Sequence, residues 1–228
     1  MINQLSSIGS TICTSAVCFS AGYALNVGLL TINQIAAKQL KFPIDLFAGK
    51  SYEEFFKANV EECKNQAYFL NISLDRILGR AFLFSNFVAM HEEVVYRYFI
   101  ETVALPKICS NFEEFSLGRT CISTLGFAAI HLMNPGVKEQ LAGQFINTIC
   151  LGMICSFAQH YFGSTGAIYL HMGYNTKGYM FTYNVSELKL KPIAKDFIDI
   201  WCISSLNAIG TPIYGIIMLL SKIKDCFT

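Results

Sequence analysis

QLAGQFINTICLGMICSFAQHYFGSTGAIYLHMGYNT, residues 140–176, contains no Asp, Glu, Lys or Arg. A transmembrane helix needs about 20 predominantly apolar residues, so this stretch is long enough to cross a bilayer. The run from Gly163 to Gly166 is rich in turn-forming residues and predicts a turn that opens a new helix. The stretch therefore predicts a membrane-spanning helix followed by a second helix.

Three other long segments also lack these four charged residue types, namely 1–37, 120–137 and 200–221. A shorter uncharged segment, 81–91, ends at Glu92. Hydrophobic residues make up 53% of the chain and charged residues only 14%, whereas about a quarter of the residues in soluble domains are charged. We therefore expect five to seven spanning or part-spanning helices, in an all-α, multi-pass transmembrane bundle with a polar intramembrane cavity.

The overall charge and the cysteines exclude two other classes of protein. The formal net charge is +1, which gives no basic surface for neutralising phosphates, so we expect no nucleic-acid partner. The nine cysteines are scattered and form no Cys-x-x-Cys pair. This spacing favours small buried side chains over a disulfide framework or a zinc ribbon.

The distribution of polar residues predicts four segments. Residues 1–40 are interpreted as an N-terminal transmembrane helix and not as a secretory signal, because no Lys or Arg precedes the long uncharged stretch. Residues 41–80 mix both signs of charge and predict an amphipathic or interfacial helical connection. Residues 81–185 form the core that holds the ionisable residues, and 186–228 contain a C-terminal transmembrane helix. The expected location is a membrane, crossed several times, with the orientation left open.

Three charged residues interrupt an otherwise apolar helix at Glu92, Glu93 and Arg97. At membrane depth, a charged group costs about 2.5–3.5 kcal/mol on insertion scales, so such groups need a reason to be there. Glu93 and Arg97 share one helical face and can neutralise each other, whereas Glu92 points about a hundred degrees away. Glu92 is therefore the candidate general base. The alternative is that the helix ends here and the charges face water.

Two histidines lie in separate apolar segments, each next to a predicted helix break. His131 follows Phe127 by one turn, and Asn175 follows His171 at i+4, on the same face. An imidazole can accept a proton or bind a metal, and an amide can donate a hydrogen bond to a developing oxyanion. Either histidine alone is more often a core residue, but together with the carboxylate pair they indicate a catalytic site.

These residues form three ordered motifs. Residues 92–97 (EEVVYR) match Glu-Glu-x-x-x-Arg, residues 127–131 (FAAIH) match Phe-x-x-x-His, and residues 171–175 (HMGYN) match His-x-x-x-Asn. In this order, the sequence resembles the CAAX protease and bacteriocin-processing family of intramembrane endopeptidases, over roughly 80–185. Each motif alone is weak, whereas the ordered set is specific.

The resemblance implies an intramembrane endopeptidase that attacks a peptide bond with an activated water. By position in the motifs, Glu92 and His131 would activate the water, while His171 and Asn175 would stabilise the oxyanion. The ion pair of Glu93 and Arg97 would hold the geometry of the site.

The same residues leave the question of a metal open. If the reaction depends on a divalent metal such as zinc, His131, His171 and Glu92 would be the ligands, with one open position. Water activation by Glu92 and His131 without a metal uses the same side chains. The zinc-protease signature His-Glu-x-x-His is absent, because Val95 stands where the second histidine would be.

The expected partners are membrane lipids and a membrane-protein or lipidated, CAAX-like peptide substrate. Two alternatives belong to other classes of protein. A non-catalytic membrane scaffold or bacteriocin-immunity protein would keep the motif residues for stability. A proton-coupled transporter would use the glutamates, but it offers no reason for the paired histidines.

Overall fold

The structure is a computed structural model. It describes these residues: 2–40, 61, 65, 68, 73–108, 116–132, 141–180, 198 and 201–202. Within these residues all regular structure is helical and there is no strand, so the predicted all-α class is confirmed. Residues 41–80 and 186–228 lie mostly outside the described part, including most of the predicted C-terminal helix.

The described elements are five α-helices and one π-helix. Their bounds in chain order are α1 (Ile2–Leu40), α2 (Leu74–Glu93), π1 (Val94–Ala104), α3 (Leu105–Ile108), α4 (Leu117–His131) and α5 (Leu141–Met180).

Two candidate membrane spans stand out by length and composition. They are Gly9–Asn33, with 25 residues, and Leu141–Thr176, with 36 residues. Both lie in segments that the sequence predicts to be apolar helices. The predicted total of five to seven spans remains a prediction.

α2 and π1 form one continuous helix. It changes from α-helical to π-helical hydrogen bonding at the acidic pair. α2 begins directly after Ser73, and the π-helix starts directly after Glu93. The hydroxyl of Thr102 donates to the carbonyl of Arg97 five residues earlier, at 2.8 Å. The helix continues through Pro106 to Ile108. Because π-helical turns often occur at functional sites, the π-helix after Glu93 indicates that this region is functional.

α4 carries a side-chain cap at its first turn. Ser116 is its N-cap, and its hydroxyl accepts a hydrogen bond from the backbone N–H of Arg119 at 3.3 Å. Such a cap satisfies one of the free donors of the first helical turn. The helix ends at His131. The helix break that the sequence predicts next to His131, at Asn134 to Gly136, lies outside the described residues.

α5 is a helical hairpin that doubles back at Gly163. This glycine has φ 69° and ψ −175°, a conformation that side-chain-bearing residues rarely adopt. The Cys155 thiol reaches the carbonyl of Ala167 at 3.9 Å, although residues twelve apart on a straight helix are separated by about 18 Å. A Cβ added at Gly166 would lie 3.2 Å from the carbonyl oxygen of Ala158. The predicted turn at 163–166 is thus confirmed.

α1 crosses the second arm of this hairpin at two glycines. A Cβ at Gly22 would collide with the backbone carbonyl of Leu170, and a Cβ at Gly173 would collide with that of Phe19. Glycine therefore allows the two backbones to pass in direct contact, a packing mode common between membrane helices.

Two asparagines of α1 also bond to the hairpin, one to each arm. Asn26 Nδ2 donates to the carbonyl of Tyr174 at 2.9 Å, and Asn33 Nδ2 donates to Asn147 Oδ1 at 2.8 Å. Hydrogen bonds between side chains of apolar helices contribute to their association, typically by about 0.6 kcal/mol each in measured cases. α1 therefore supports the arm that carries His171.

We expect Gly22→Leu to destabilise the protein, because the new side chain would force α1 away from α5. Overpacking of a well-packed interface costs about 1–3 kcal/mol, which lowers Tm by roughly 2–12 °C in a chain of this size. The measurement is thermal unfolding of the purified protein in detergent. Gly28→Leu is the matched control, because a Cβ there meets nothing within 4 Å. Equal melting temperatures for the two variants would contradict the described crossing.

Candidate active site

The acidic pair stands where α2 meets π1, and its second member is deeply buried. Glu93 Oε2 lies 3.5 Å from Arg97 Nε, with side chains 1% and 0% exposed. The i,i+4 pair that the sequence predicts is therefore present. Since an isolated buried charge is costly, each group makes burial of the other possible.

The other oxygen of Glu93 contacts a histidine from the second arm of α5. Glu93 Oε1 and His171 Nδ1 are 2.8 Å apart, and the imidazole is 2% exposed. An ionised carboxylate can only accept, so His171 Nδ1 carries the hydrogen and donates it. This contact fixes the orientation of the ring and directs Nε2 away from Glu93.

His131 is oriented in the same way by a different acceptor. Its Nδ1 lies 2.8 Å from the carbonyl oxygen of Phe127, one turn earlier on α4. A carbonyl also only accepts, so Nδ1 donates and Nε2 faces the other direction. The neutral form of this ring then offers a lone pair at Nε2.

Glu92 lies between these two imidazoles. Its Oε1 is 3.7 Å from His131 Nε2, and its Oε2 is 3.7 Å from His171 Nε2. The carboxylate is 16% exposed, in contrast to the buried Glu93. Both distances are longer than a direct hydrogen bond. The structure thus brings together the three groups that the sequence singled out as candidates for chemistry.

Phe127 forms the apolar wall of the cluster. Its fully buried ring packs edge-on at 4.3 Å from the His131 ring, 5.8 Å from the His171 ring and 5.1 Å from the Tyr96 ring. The Arg97 guanidinium carbon lies 5.1 Å from its centroid. The aromatic of the second motif therefore packs against Arg97 and both imidazoles and restricts their movement.

Asn175 lies on the same arm as His171 but bonds outside the cluster. Its Nδ2 donates to the backbone carbonyl of Ser85 on α2 at 3.3 Å. An amide nitrogen has two hydrogens, so this contact fixes the amide and leaves one N–H for another acceptor. Among the motif residues, Asn175 is thus the one that the structure places next to the cluster and not within it.

The remaining two histidines make other contacts. His91 Nδ1 contacts the carbonyl of Phe87 at 2.6 Å, and its ring lies 6.3 Å from that of Trp201. His160 lies near the turn of the hairpin, against Tyr161. The expectation that His91 is only a neighbour of the site stays a prediction.

Sequence reasoning missed the residues that bind the far side of Arg97. Its NH1 donates to Ser123 Oγ at 2.7 Å and lies 4.0 Å from Glu101 Oε2. Gly152 gives the guanidinium its space, because a Cβ there would lie 2.9 Å from NH2. Glu101 was detectable, since it repeats the i,i+4 spacing from Arg97. Ser123 and Gly152 carry no such signal, because they come from other helices.

The predicted metal ligands do not form a compact group in this structure. Within the described part of the chain, the three residues whose ligand atoms lie within 4.8 Å of one another are Glu93, Cys155 and His171, all buried. In that group His171 Nδ1 donates its hydrogen to Glu93 Oε1. The hydrogen lies between the two atoms, so neither directs a free lone pair towards a metal there. Glu92 instead has one imidazole on each of its two oxygens. The residues as arranged do not fit a three-ligand zinc site.

The site therefore consists of a carboxylate between two oriented imidazoles, next to a buried ion pair in an apolar helical protein. Residues 75–176 match the family model described as type II CAAX prenyl endopeptidase Rce1-like. The match confirms the predicted resemblance to CAAX proteases over these residues. The family consists of membrane proteins and implies a protease. No curated protein and no solved structure matches the chain significantly.

Proposed function

We propose that this protein is an intramembrane endopeptidase that hydrolyses a peptide bond in a lipidated, CAAX-like peptide or another membrane-associated substrate. The observation that carries the proposal is the position of Glu92, whose two oxygens each lie 3.7 Å from the Nε2 of a different histidine. Polar groups at this separation are suited to sharing a bound water.

In the first step, Glu92 takes a proton from the attacking water while His131 Nε2 accepts a hydrogen bond from the second hydrogen of that water. The water oxygen then forms a bond to the scissile carbonyl carbon. The hydrogen bond from His131 Nδ1 to the Phe127 carbonyl supports this role, because it keeps the lone pair of Nε2 directed towards Glu92. General base catalysis of this kind typically contributes about 10²–10⁴-fold to the rate.

The negative charge that develops on the carbonyl oxygen is stabilised by His171 and Asn175. In its protonated form, His171 donates Nδ1–H to Glu93 and has Nε2–H for the oxyanion. The second N–H of Asn175 is the other donor. Donors that are held in place before the reaction stabilise the transition state most effectively.

Collapse of the tetrahedral intermediate breaks the C–N bond. Glu92 gives the proton that it took from water to the leaving amine, so atoms and charge balance. The other product carries the new carboxyl group, which releases the second hydrogen of the water to solvent as it becomes a carboxylate. Glu92 thus acts first as base and then as acid, and returns to its starting form.

The proposed location follows from the same set of helices. Two described helices are long and apolar enough to span a membrane, and the family consists of membrane proteins. We assign the site to a polar cavity inside a multi-pass bundle formed mainly by residues 81–185. Such a location presents the site to substrates anchored by a lipid or by an apolar segment.

The proposal is tested with two synthetic peptides of equal sequence, one carrying a prenyl group on a cysteine three residues from its C-terminus. We expect the purified protein in lipid vesicles to cleave after the prenylated cysteine, at least about tenfold faster than in the unmodified peptide, which corresponds to 1.4 kcal/mol of lipid recognition. Mass spectrometry of the products locates the bond.

Treatment with a strong chelator is the second arm of that experiment. A site that needs no metal keeps its rate after the chelator has been removed by dialysis. A rate that is lost and then restored by zinc would contradict the metal-free mechanism, and Cys155→Ala would then test whether the compact group of Glu93, Cys155 and His171 holds the ion. Absence of cleavage of both peptides would contradict the proposed substrate class.

A further inference from the structure

We propose that Glu101 is a positioning residue for the site, acting through Arg97 and Glu93 on His171. The inference rests on the proposed function and extends it to a residue outside the three motifs. Glu101 lies on π1 and is only 7% exposed.

The carboxylate of Glu101 is held by hydroxyl groups from two other helices. Thr120 Oγ1 on α4 donates to Oε1 at 3.1 Å, and Ser156 Oγ on α5 donates to Oε2 at 2.8 Å. Oε2 also faces Arg97 NH1 at 4.0 Å. Glu101 therefore joins π1, α4 and the first arm of α5 at one buried point. A carboxylate with this many donors around it is fixed in place.

Arg97 is consequently bracketed by two carboxylates on one helical face, Glu93 at i−4 and Glu101 at i+4. Their contacts to the guanidinium are 3.5 Å and 4.0 Å, and Ser123 Oγ accepts from NH1 at 2.7 Å. Loss of either carboxylate leaves the buried cation attracted to one side only. Because Glu93 orients His171 directly, a shift of Arg97 towards Glu93 changes the hydrogen bond that fixes the imidazole.

The chain of contacts thus runs from Glu101 through Arg97 and Glu93 to His171, whose Nε2 faces Glu92. Because Glu101 is linked to His171 through Arg97 and Glu93, we expect it to affect the orientation of the catalytic groups and not substrate binding. Misplacement of reacting groups by about 1 Å typically costs on the order of 10²-fold in rate.

The first test is kinetic. We expect Glu101→Gln to lower kcat by roughly 10–100-fold with KM within about twofold of the original protein. The amide keeps the shape of the side chain but cannot accept from both hydroxyls and face Arg97 as an anion. Glu61→Gln is the matched control, since it makes the same change at an exposed glutamate. A normal kcat in folded Glu101→Gln would overturn the proposal.

A second variant keeps the test valid if Glu101→Gln does not fold. Ser156→Ala removes one of the two hydroxyl donors to Glu101 and leaves every charge in place. We expect a fall of roughly two- to tenfold in kcat, the equivalent of one hydrogen bond, with unchanged KM. An increase in KM at unchanged kcat would overturn the proposal, because it would place the effect on binding.

A measurement that does not depend on cleavage tests this inference independently of the proposed function. The chain has four histidines, so ¹⁵N-histidine NMR resolves His171 after assignment by single His→Gln variants. We expect Glu101→Gln to move the ring ¹⁵N resonances of His171 in the same direction as Glu93→Gln, and Glu61→Gln to leave them unchanged. Unchanged His171 resonances in Glu101→Gln would overturn the coupling. Shifted resonances in a protein that cleaves no peptide would support the coupling and contradict the proposed function.

Discussion

Glu92→Gln is expected to lower kcat by about 10³-fold or more, without loss of folded protein. The amide has nearly the same shape as the carboxylate, but it cannot take a proton from water, so the general-base contribution is lost. Because the side chain is 16% exposed and makes no direct hydrogen bond to either imidazole at 3.7 Å, we expect little change in stability. The measurement is single-turnover cleavage of the prenylated peptide, compared with Glu61→Gln as control.

The same variant distinguishes an enzyme from a scaffold. If the cellular phenotype of the protein persists in both Glu92→Gln and Glu92→Ala, hydrolysis is not its function. If cleavage itself persists in folded Glu92→Gln within about tenfold, the assignment of Glu92 as base is wrong, since base catalysis is worth about 10²–10⁴-fold.

Arg97→Met is expected to produce the largest loss of stability. The guanidinium is fully buried between Glu93 and Glu101, so its removal leaves two buried carboxylates without a cation. Breaking a buried pair by removing one partner costs about 3–5 kcal/mol, which corresponds to a fall in Tm of roughly 6–20 °C for a chain of this length. Thermal unfolding in detergent measures the effect, and Lys107→Met on the exposed surface is the control.

Neutralising the two carboxylates as well shows whether Arg97→Met destabilises the protein through unpaired charge or through lost packing. The triple variant Glu93→Gln, Arg97→Met, Glu101→Gln contains no uncompensated charge in the pocket, so we expect most of the stability to return. Activity does not return, because the amide at position 93 no longer provides the anion that orients His171. A triple variant as unstable as Arg97→Met would show that the destabilisation comes from lost packing and not from the glutamates.

Much of the site is predictable from the sequence because helical periodicity is a local property. The spacing of Glu93 and Arg97 predicts their ion pair, and the separate direction of Glu92 predicts a carboxylate available for chemistry. The ordered motifs then indicate which histidines join it. The run from Gly163 to Gly166 predicts the turn of the hairpin, because Gly163 adopts a conformation that favours glycine.

Other features depend on contacts between helices and give no local signal. The change to a π-helix after Glu93 is not visible in the residues of that segment. The tautomers of His131 and His171 follow from acceptors that only the fold provides, a carbonyl in one case and a distant carboxylate in the other. The crossing of α1 at Gly22 depends equally on a partner helix more than a hundred residues away.

The support around Arg97 is intermediate between these cases. Glu101 lies at i+4, so the repeated spacing marks it as a second partner of the arginine. Its hydroxyl donors, Thr120 and Ser156, belong to helices distant in sequence and are ordinary polar residues within apolar stretches. Periodicity identifies the charged pair, and only the fold identifies the neighbours that hold it.

The most direct measurement is cleavage of the prenylated peptide in H₂¹⁸O by the purified protein and by its Glu92→Gln variant, read by mass spectrometry of the products. The proposed mechanism predicts that the original protein places one ¹⁸O in the new C-terminal carboxylate and that Glu92→Gln yields almost no product in the same time. Equal yields of labelled product from both proteins would contradict the central claim that Glu92 activates the attacking water.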